Sequence, residues 1–277
     1  MPAITGQCAA PGCHKPTFRK LRFCGQHHNN EWRHGHPFQK AVTFKQVSPF
    51  VCRVAEAISS RDDAAQIWRT LEARWTAYLN AAVTVAVQGV FSDPENASTV
   101  TMRKALRHEV EAAQAIKKTA TAGGKAPQAR EIIANVVALI LMREMEPERF
   151  EDDRAFLFQV TRRFICLNPA NATKTAPGRS STNYRPLKAK AMEHLGAYLL
   201  KALGAVGTAL VASIREGMAE RAAELKDYEA AVAALGPRMI PIDDLFPSQK
   251  RGPVFDPETG IRSSILRWYE KNVGKKP

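Results

Sequence analysis

The sequence predicts a mainly α-helical protein: a helical-bundle body behind a small N-terminal module that carries most of the cysteine. Three observations predict this. Apolar residues recur at helical spacing through most of the chain beyond residue 50. Strand-type alternation is scarce outside the first fifty residues. Three of the five cysteines fall within seventeen residues of one another, from Cys8 to Cys24. With 277 residues, 45% of them hydrophobic, there is apolar material for a packed core and length for roughly two domains, which excludes wholesale disorder. Five cysteines are too few for a disulfide scaffold. The expected division is a module over 1–47, an α-helical domain over 48–236 with a basic loop at 168–186, and a Pro-rich basic tail with a short helix over 237–277.

Ser48-Pro49 reads as a helix start, with Ser as cap and Pro at the first helical position. From Asp62, the residues Ile67, Trp68, Leu71, Trp75 and Leu79 recur at helical spacing with charged residues between them, and the pattern runs to about Val90. The loop SDPENAS over 92–98 ends it. A more polar helix is expected from about Ser98 to Lys118, closed by Gly123-Gly124. The run IIANVVALILM marks a central buried helix over about 128–144, too short to span a bilayer. The next helix, about 151–167, opens on acidic residues and puts Phe156, Val160 and Phe164 on one face. Residues 168–186 lack apolar periodicity and read as a long exposed loop. From Leu187 to about Leu235 the pattern is one kinked helix or two in series, stopped by Gly236-Pro237.

The opening residues MPAITGQC show no basic segment followed by an apolar run, so no secretory signal is read and a reducing, cytoplasmic setting is expected. One stretch, Leu195 to Ile214, could be mistaken for a membrane span. Its apolar content is mostly Ala and Gly, and Lys201 would stand mid-bilayer at a cost of about 3 kcal/mol, which favours a buried, tightly packed helix.

The net charge is +13, and its location is informative. Residues 1–50 carry +6, 168–190 carry +5 and 247–277 carry +4, leaving the rest of the chain slightly acidic. Lys and Arg gathered along one track suit a polyanion, since each neutralised phosphate needs its own cation. The candidates for phosphate or base contact are Arg19, Lys20, Arg22 and Arg33 in the module, and Lys174, Arg179, Tyr184, Arg185, Lys188 and Lys190 in and after the loop.

The one motif that carries chemistry is C8-x4-C13, a basic ten-residue loop, then C24-x2-H27. Two chelating pairs close in sequence supply four N or S donors for tetrahedral zinc with little loop-closure cost. The segment has almost no aliphatic core of its own, so a metal staple would account for its folding. The two-residue spacing favours His27 as the fourth ligand over its neighbours His28 and His14.

Together with the aromatic and basic stretch that ends Arg33-His34-Gly35-x-Pro37, this pattern resembles the small zinc module at the N-terminus of many phage and mobile-element HNH endonucleases. The resemblance covers about residues 7–37. It implies Cys8, Cys13, Cys24 and His27 as the zinc ligands, and Trp32 and Arg33 as the matching helix residues, with the tryptophan displaced by one position. His28 stands where that helix usually starts with Tyr. An HNH active site needs a metal-binding His pair and a general-base His. After residue 36 only His108 and His194 remain, each reading as a lone helical histidine.

Other clusters read as structural. Glu144, Glu146, Glu148, Glu151, Asp152 and Asp153 are interleaved with Arg143, Arg149 and Arg154, as a helix connection with N-terminal acids would be. Trp68 and Trp75 read as core, and Cys52 and Cys166 as buried inert thiols. Residues 238–246, apolar with flanking acids and prolines, read either as a strand-like tail packed on the helices, the reading the composition favours, or as a short docking peptide for a protein partner. The sequence therefore leads to the expectation of a zinc-dependent, non-catalytic nucleic-acid-binding protein of phage or mobile-element type, on DNA rather than RNA. The alternative is a structural or adaptor protein, such as a virion component, whose zinc module docks protein.

Overall fold

The computed structural model describes residues 4–18, 21–96, 101–121, 126–168 and 187–234. Among these residues the protein is helical, as its sequence predicts, with seven α-helices and two small antiparallel strand pairs. By its contacts the chain divides into two units, 1–212 and 213–277. The described part of the second unit, 213–234, continues a helix and is mostly exposed. The basic loop at 169–186, the tail from 235 onward and the docking segment at 238–246 lie outside the described residues.

The first unit opens on strands β1 (Ile4–Gln7) and β2 (Pro16–Phe18), paired antiparallel, and helix α1 (Gly25–His34). Helix α2 (Phe44–Ser59) starts earlier than the Ser48-Pro49 signal, which corrects that expectation. Thr43 caps it: its side chain accepts from the Gln46 amide, while Gln46 Oε1 accepts from the Thr43 amide at 2.8 Å. That reciprocal box outweighs the Ser-Pro signal, and Pro49 lies exposed inside the helix, forgoing one bond of the ladder.

Helix α3 (Ala64–Gln88) buries Trp68, Leu71, Trp75, Tyr78 and Val85 along one stripe. Trp68 and Trp75 are core residues as expected, and Trp75 meets Phe164 edge-on at 6.0 Å. Gly89 ends α3 at φ +68, a left-handed turn that glycine adopts without strain. The chain then forms β3 (Val90–Phe91), which pairs with β4 (Arg103–Lys104). The expected helix start near Ser98 is corrected here: α4 runs from Arg107 to Thr121, and 103–104 are spent on the strand pair instead.

Helix α5 (Ala129–Met145) is the central one. Ile133, Val137, Ala138, Leu139, Leu141 and Met142 are fully buried, each large side chain contributing about 1.5–3 kcal/mol. Helix α6 (Asp153–Leu167) is capped by Asp152, whose carboxylate accepts from the Ala155 amide at 2.6 Å. The neighbouring acids pair with arginines, Asp153 with Arg143 and Glu146 with Arg149, so this cluster holds the α5–α6 connection together. Cys52 is half-buried and Cys166 exposed, correcting the expectation that both are buried. Residue 166 lies off the Phe156, Val160 and Phe164 face that enters the core.

Helix α7 (Ala189–Ala234) breaks at Gly204, whose φ of 53 and ψ of −153 are open only to glycine. Arg74 Nε donates to Ala202 O at 3.3 Å and Arg74 Nη2 to Lys201 O at 3.5 Å; a Cβ at 204 would overlap that guanidinium. Earlier in the helix, Gly196 lies against α6, where an added Cβ would stand 2.6 Å from Leu157 O. Residues 189–227 are long and apolar enough to cross a membrane, and 39% of the most apolar window is buried within the protein.

Polar bonds lock the N-terminal module to α6. Arg154 Nη1 donates to Gly35 O at 2.7 Å, and Arg154 Nε to Glu193 at 2.6 Å. Gln39 donates to Arg149 O at 3.0 Å and accepts from the Glu151 amide at 3.0 Å, while the Val42 amide donates to Gln159 at 3.1 Å. Gly35, at φ +85, ends α1 directly over Phe158.

Candidate metal centre

Local chemistry explains how four donors come together. Between Cys8 and Cys13 lies Pro11-Gly12, with Gly12 at φ +71 and the Cys13 amide donating to Ala10 O at 3.0 Å. Pro followed by a positive-φ Gly is the pairing that a type II turn requires, and it folds the second cysteine back beside the first. The third cysteine, Cys24, is the N-cap of α1. His27 is then the third helical residue, the position whose side chain returns over the cap, and its Nδ1 lies 3.6 Å from Cys24 Sγ. His28 follows a further 100° around the helix axis, and its amide makes a helical bond to Cys24 O at 2.8 Å.

The ligand atoms of Cys8, Cys13, Cys24 and His27 all lie within 4.8 Å of one another. Cys8 Sγ is 3.3 Å from His27 Nδ1, and Cys13 Sγ is 4.0 Å from Cys24 Sγ. This is the one group of three or more His, Cys, Asp or Glu donors that could hold a metal ion among the described residues. The sequence-based choice of the three cysteines and of His27 therefore coincides with the cluster that the fold assembles. Cys8, Ala10, Phe23 and Cys24 form a small buried cluster, with Cys13 and Phe38 against it and the His27 ring edge-on to Phe38 at 5.0 Å.

The electrostatics favour a cation. Desolvation pushes the Cys8 thiol up, but the Cys24 amide, the His27 ring and the Ala10 amide together bring it down to about 6. The Cys24 amide lies 3.2 Å from Cys8 Sγ. At Cys13 the Lys15 amide acts downward, yet desolvation and the two neighbouring sulfurs hold the thiol above its usual range. Amides aimed at sulfur stabilise thiolate, while crowding of three sulfurs resists it. A bound cation resolves that opposition.

Around this centre stand exposed cations. Lys15 Nζ donates to Gln26 at 3.2 Å, Arg22 lies over the Phe23 ring at 5.1 Å, and Trp32 is 43% exposed beside the exposed Arg33. Lys188 and Lys190 are exposed at the start of α7, the Lys188 amide donating to Glu111 at 3.2 Å. Arg19, Lys20, Lys174, Arg179, Tyr184 and Arg185 lie outside the described residues.

His108 and His194, read from sequence as lone histidines, meet across α4 and α7 with ring centroids 4.3 Å apart. Arg154, read from sequence only as part of the α5–α6 acid and arginine cluster, and Gln159 and Arg162, which no sequence motif singles out, face the N-terminal module from α6. No family model, curated protein or solved structure matches this chain.

Proposed function

We propose that Cys8, Cys13, Cys24 and His27 hold one structural zinc ion and that the stapled module binds nucleic acid, DNA in preference to RNA, by its phosphate backbone. Two features support zinc. With Zn–S near 2.3 Å and Zn–N near 2.05 Å, a tetrahedral site has S···S edges of about 3.8 Å and S···N edges of about 3.6 Å. Three of the six edges here are 4.0 Å for Cys13–Cys24, 3.6 Å for Cys24–His27 and 3.3 Å for Cys8–His27, and all six lie within 4.8 Å. The donor set, three sulfurs and an imidazole, is the soft one that zinc takes.

One observation carries the nucleic-acid reading. Lys15, Arg22, Arg33, Lys40 and Lys45 are all exposed on or beside the module, and none makes an ion pair among the described residues. The single acid of this segment, Glu31, is drawn away toward Arg154 at 3.6 Å. Cations left without carboxylates on a rigid, metal-stapled frame suit phosphates. The resemblance to HNH-endonuclease modules adds a phage or mobile-element setting and a role in regulation, replication or defence. The reading assigns binding to the module and no reaction. A second reading, an adaptor or virion component that docks protein, rests on Trp32, a large apolar side chain exposed in the last turn of the module's helix.

The test is zinc content together with duplex DNA binding across a salt series, for the parent protein and Cys24→Ser. One equivalent of zinc, binding that weakens steeply with salt, and loss of both in the variant are expected. Zinc without binding to DNA or RNA moves the function to protein docking. Absence of zinc overturns the proposal at its base.

A further inference from the structure

Helix α6 meets the module through two arginines eight residues apart, hence about 12 Å apart along its axis. Their surroundings differ. Arg154 is neutralised: it contacts Glu193 at 2.6 Å, Glu31 at 3.6 Å and Gly35 O at 2.7 Å. Arg162 has no carboxylate within ion-pair distance among the described residues. Its Nη1 lies 3.1 Å from His34 Nδ1 and 3.4 Å from His34 Nε2, so the guanidinium sits against a ring that is only 8% exposed. The same His34 nitrogen faces Gln159 Nε2 at 3.4 Å, and that amide also reaches Lys40 O at 3.5 Å. The last residues of α1, the linker at Lys40 and the middle of α6 therefore converge on one spot.

His34 is held neutral there, its ring brought down to about 4 by burial first and then by the charges of Arg162 and Arg33. A neutral imidazole fixes the guanidinium while leaving its charge unspent. Arg33 is exposed next to His34 in sequence, and Lys40 is exposed at the residue whose carbonyl meets the same Gln159 amide that faces His34.

We propose that Arg162, Arg33 and Lys40 form a phosphate subsite at the seam between the module and α6, which holds one phosphodiester of the nucleic acid. This inference rests on the nucleic-acid reading above and adds to it a cation from the helical body. The seam then fixes the register of the module on the backbone. A guanidinium held at one edge presents its remaining N–H groups as a fork to phosphate oxygens.

The experiment measures affinity for duplex DNA and single-stranded RNA over a salt series. The proteins are the full chain, Arg162→Gln, Arg162→Lys, Arg33→Gln and, as a control for net charge alone, Arg69→Gln, which alters an exposed arginine of α3. On duplex DNA, losing one phosphate contact reduces the slope of log affinity against log salt by about 0.9. Arg162→Gln and Arg33→Gln are each expected to lose that much slope and about 5–10-fold in affinity at roughly 0.1 M salt. Arg162→Lys keeps the slope, and Arg69→Gln changes neither quantity. Zinc content and Tm matched to the parent establish that Arg162→Gln is folded; should it unfold, Arg33→Gln carries the test.

Parent binding with unchanged slopes in the Arg162 and Arg33 variants overturns the subsite and leaves the nucleic-acid reading standing. Absence of salt-dependent binding in the parent overturns both. Inorganic phosphate that shifts the His34 ring resonance in a protein binding no nucleic acid identifies a free-anion site and overturns the phosphodiester assignment.

Discussion

Gly35→Ala tests how the N-terminal module is fastened to the helical body. Gly35 ends α1 at φ +85, where an L side chain costs about 1–2 kcal/mol. A Cβ there would also stand 2.9 Å from Phe158 Cδ2 and 3.0 Å from Arg154 O, against an optimum near 3.5–4.0 Å for carbon contacts. Neither neighbour can yield, since Phe158 is fully buried and the Arg154 carbonyl is helix backbone, so overpacking adds about 1–3 kcal/mol. A total near 3 kcal/mol corresponds to a fall in Tm of about 6–12 °C for a unit of this size. The companion variant Gly89→Ala has φ +68 and nothing within 4 Å, so it bears the backbone cost of about 1–2 kcal/mol alone, with a fall of about 2–8 °C. The assay is thermal unfolding by circular dichroism in zinc-saturated buffer. Equal shifts in the two variants would refute the idea that α1 is seated on Phe158.

Two further outcomes are expected. His34 is neutral when folded down to about pH 4 but titrates near 6.5 when unfolded, so the unfolded chain binds more protons between those values. The stability it contributes is complete above about pH 6.5 and is lost as the pH falls toward 4. A ring titration by NMR with its midpoint near 4 checks this, and a midpoint near 6.5 contradicts it. In the contact between α3 and α7, Glu95 accepts from Tyr78 Oη at 2.7 Å and pairs with Arg74 at 3.2 Å and Lys201 at 3.4 Å. Tyr78→Phe should cost about 1–2 kcal/mol, and a double-mutant cycle with Glu95→Gln should show coupling of about 1 kcal/mol. Coupling near zero would detach the tyrosine from this network.

The helical body was legible because its apolar periodicity is strong. The seven-residue spacing of Trp68 and Trp75 and the unbroken run in α5 each allow one arrangement, and the fold adopts it. The cluster of three cysteines and a histidine was legible because its two pairs are local in sequence. Misreadings arose where two local signals competed. Thr43 with Gln46 outweighed Ser48 with Pro49, and Gly89 turned the chain into a two-residue strand pair too short to leave a pattern. The His34–Arg162 seam was illegible for a different reason: its partners are 128 residues apart, and no local spacing encodes a contact that only the packing of α1 on α6 creates.

The break at Gly204 bears on how hydropathy is to be read in this chain. Before it, α7 offers fifteen residues from Ala189 to Leu203, a rise of about 22 Å against a hydrocarbon thickness near 30 Å. Its last carbonyls are satisfied by a guanidinium from another helix, so sliding this segment into lipid would strand them or drag Arg74 along. Gly196 against α6 and Gly204 against an arginine thus fit this apolar helix to its neighbours within the protein, at a spacing that no larger side chain would allow.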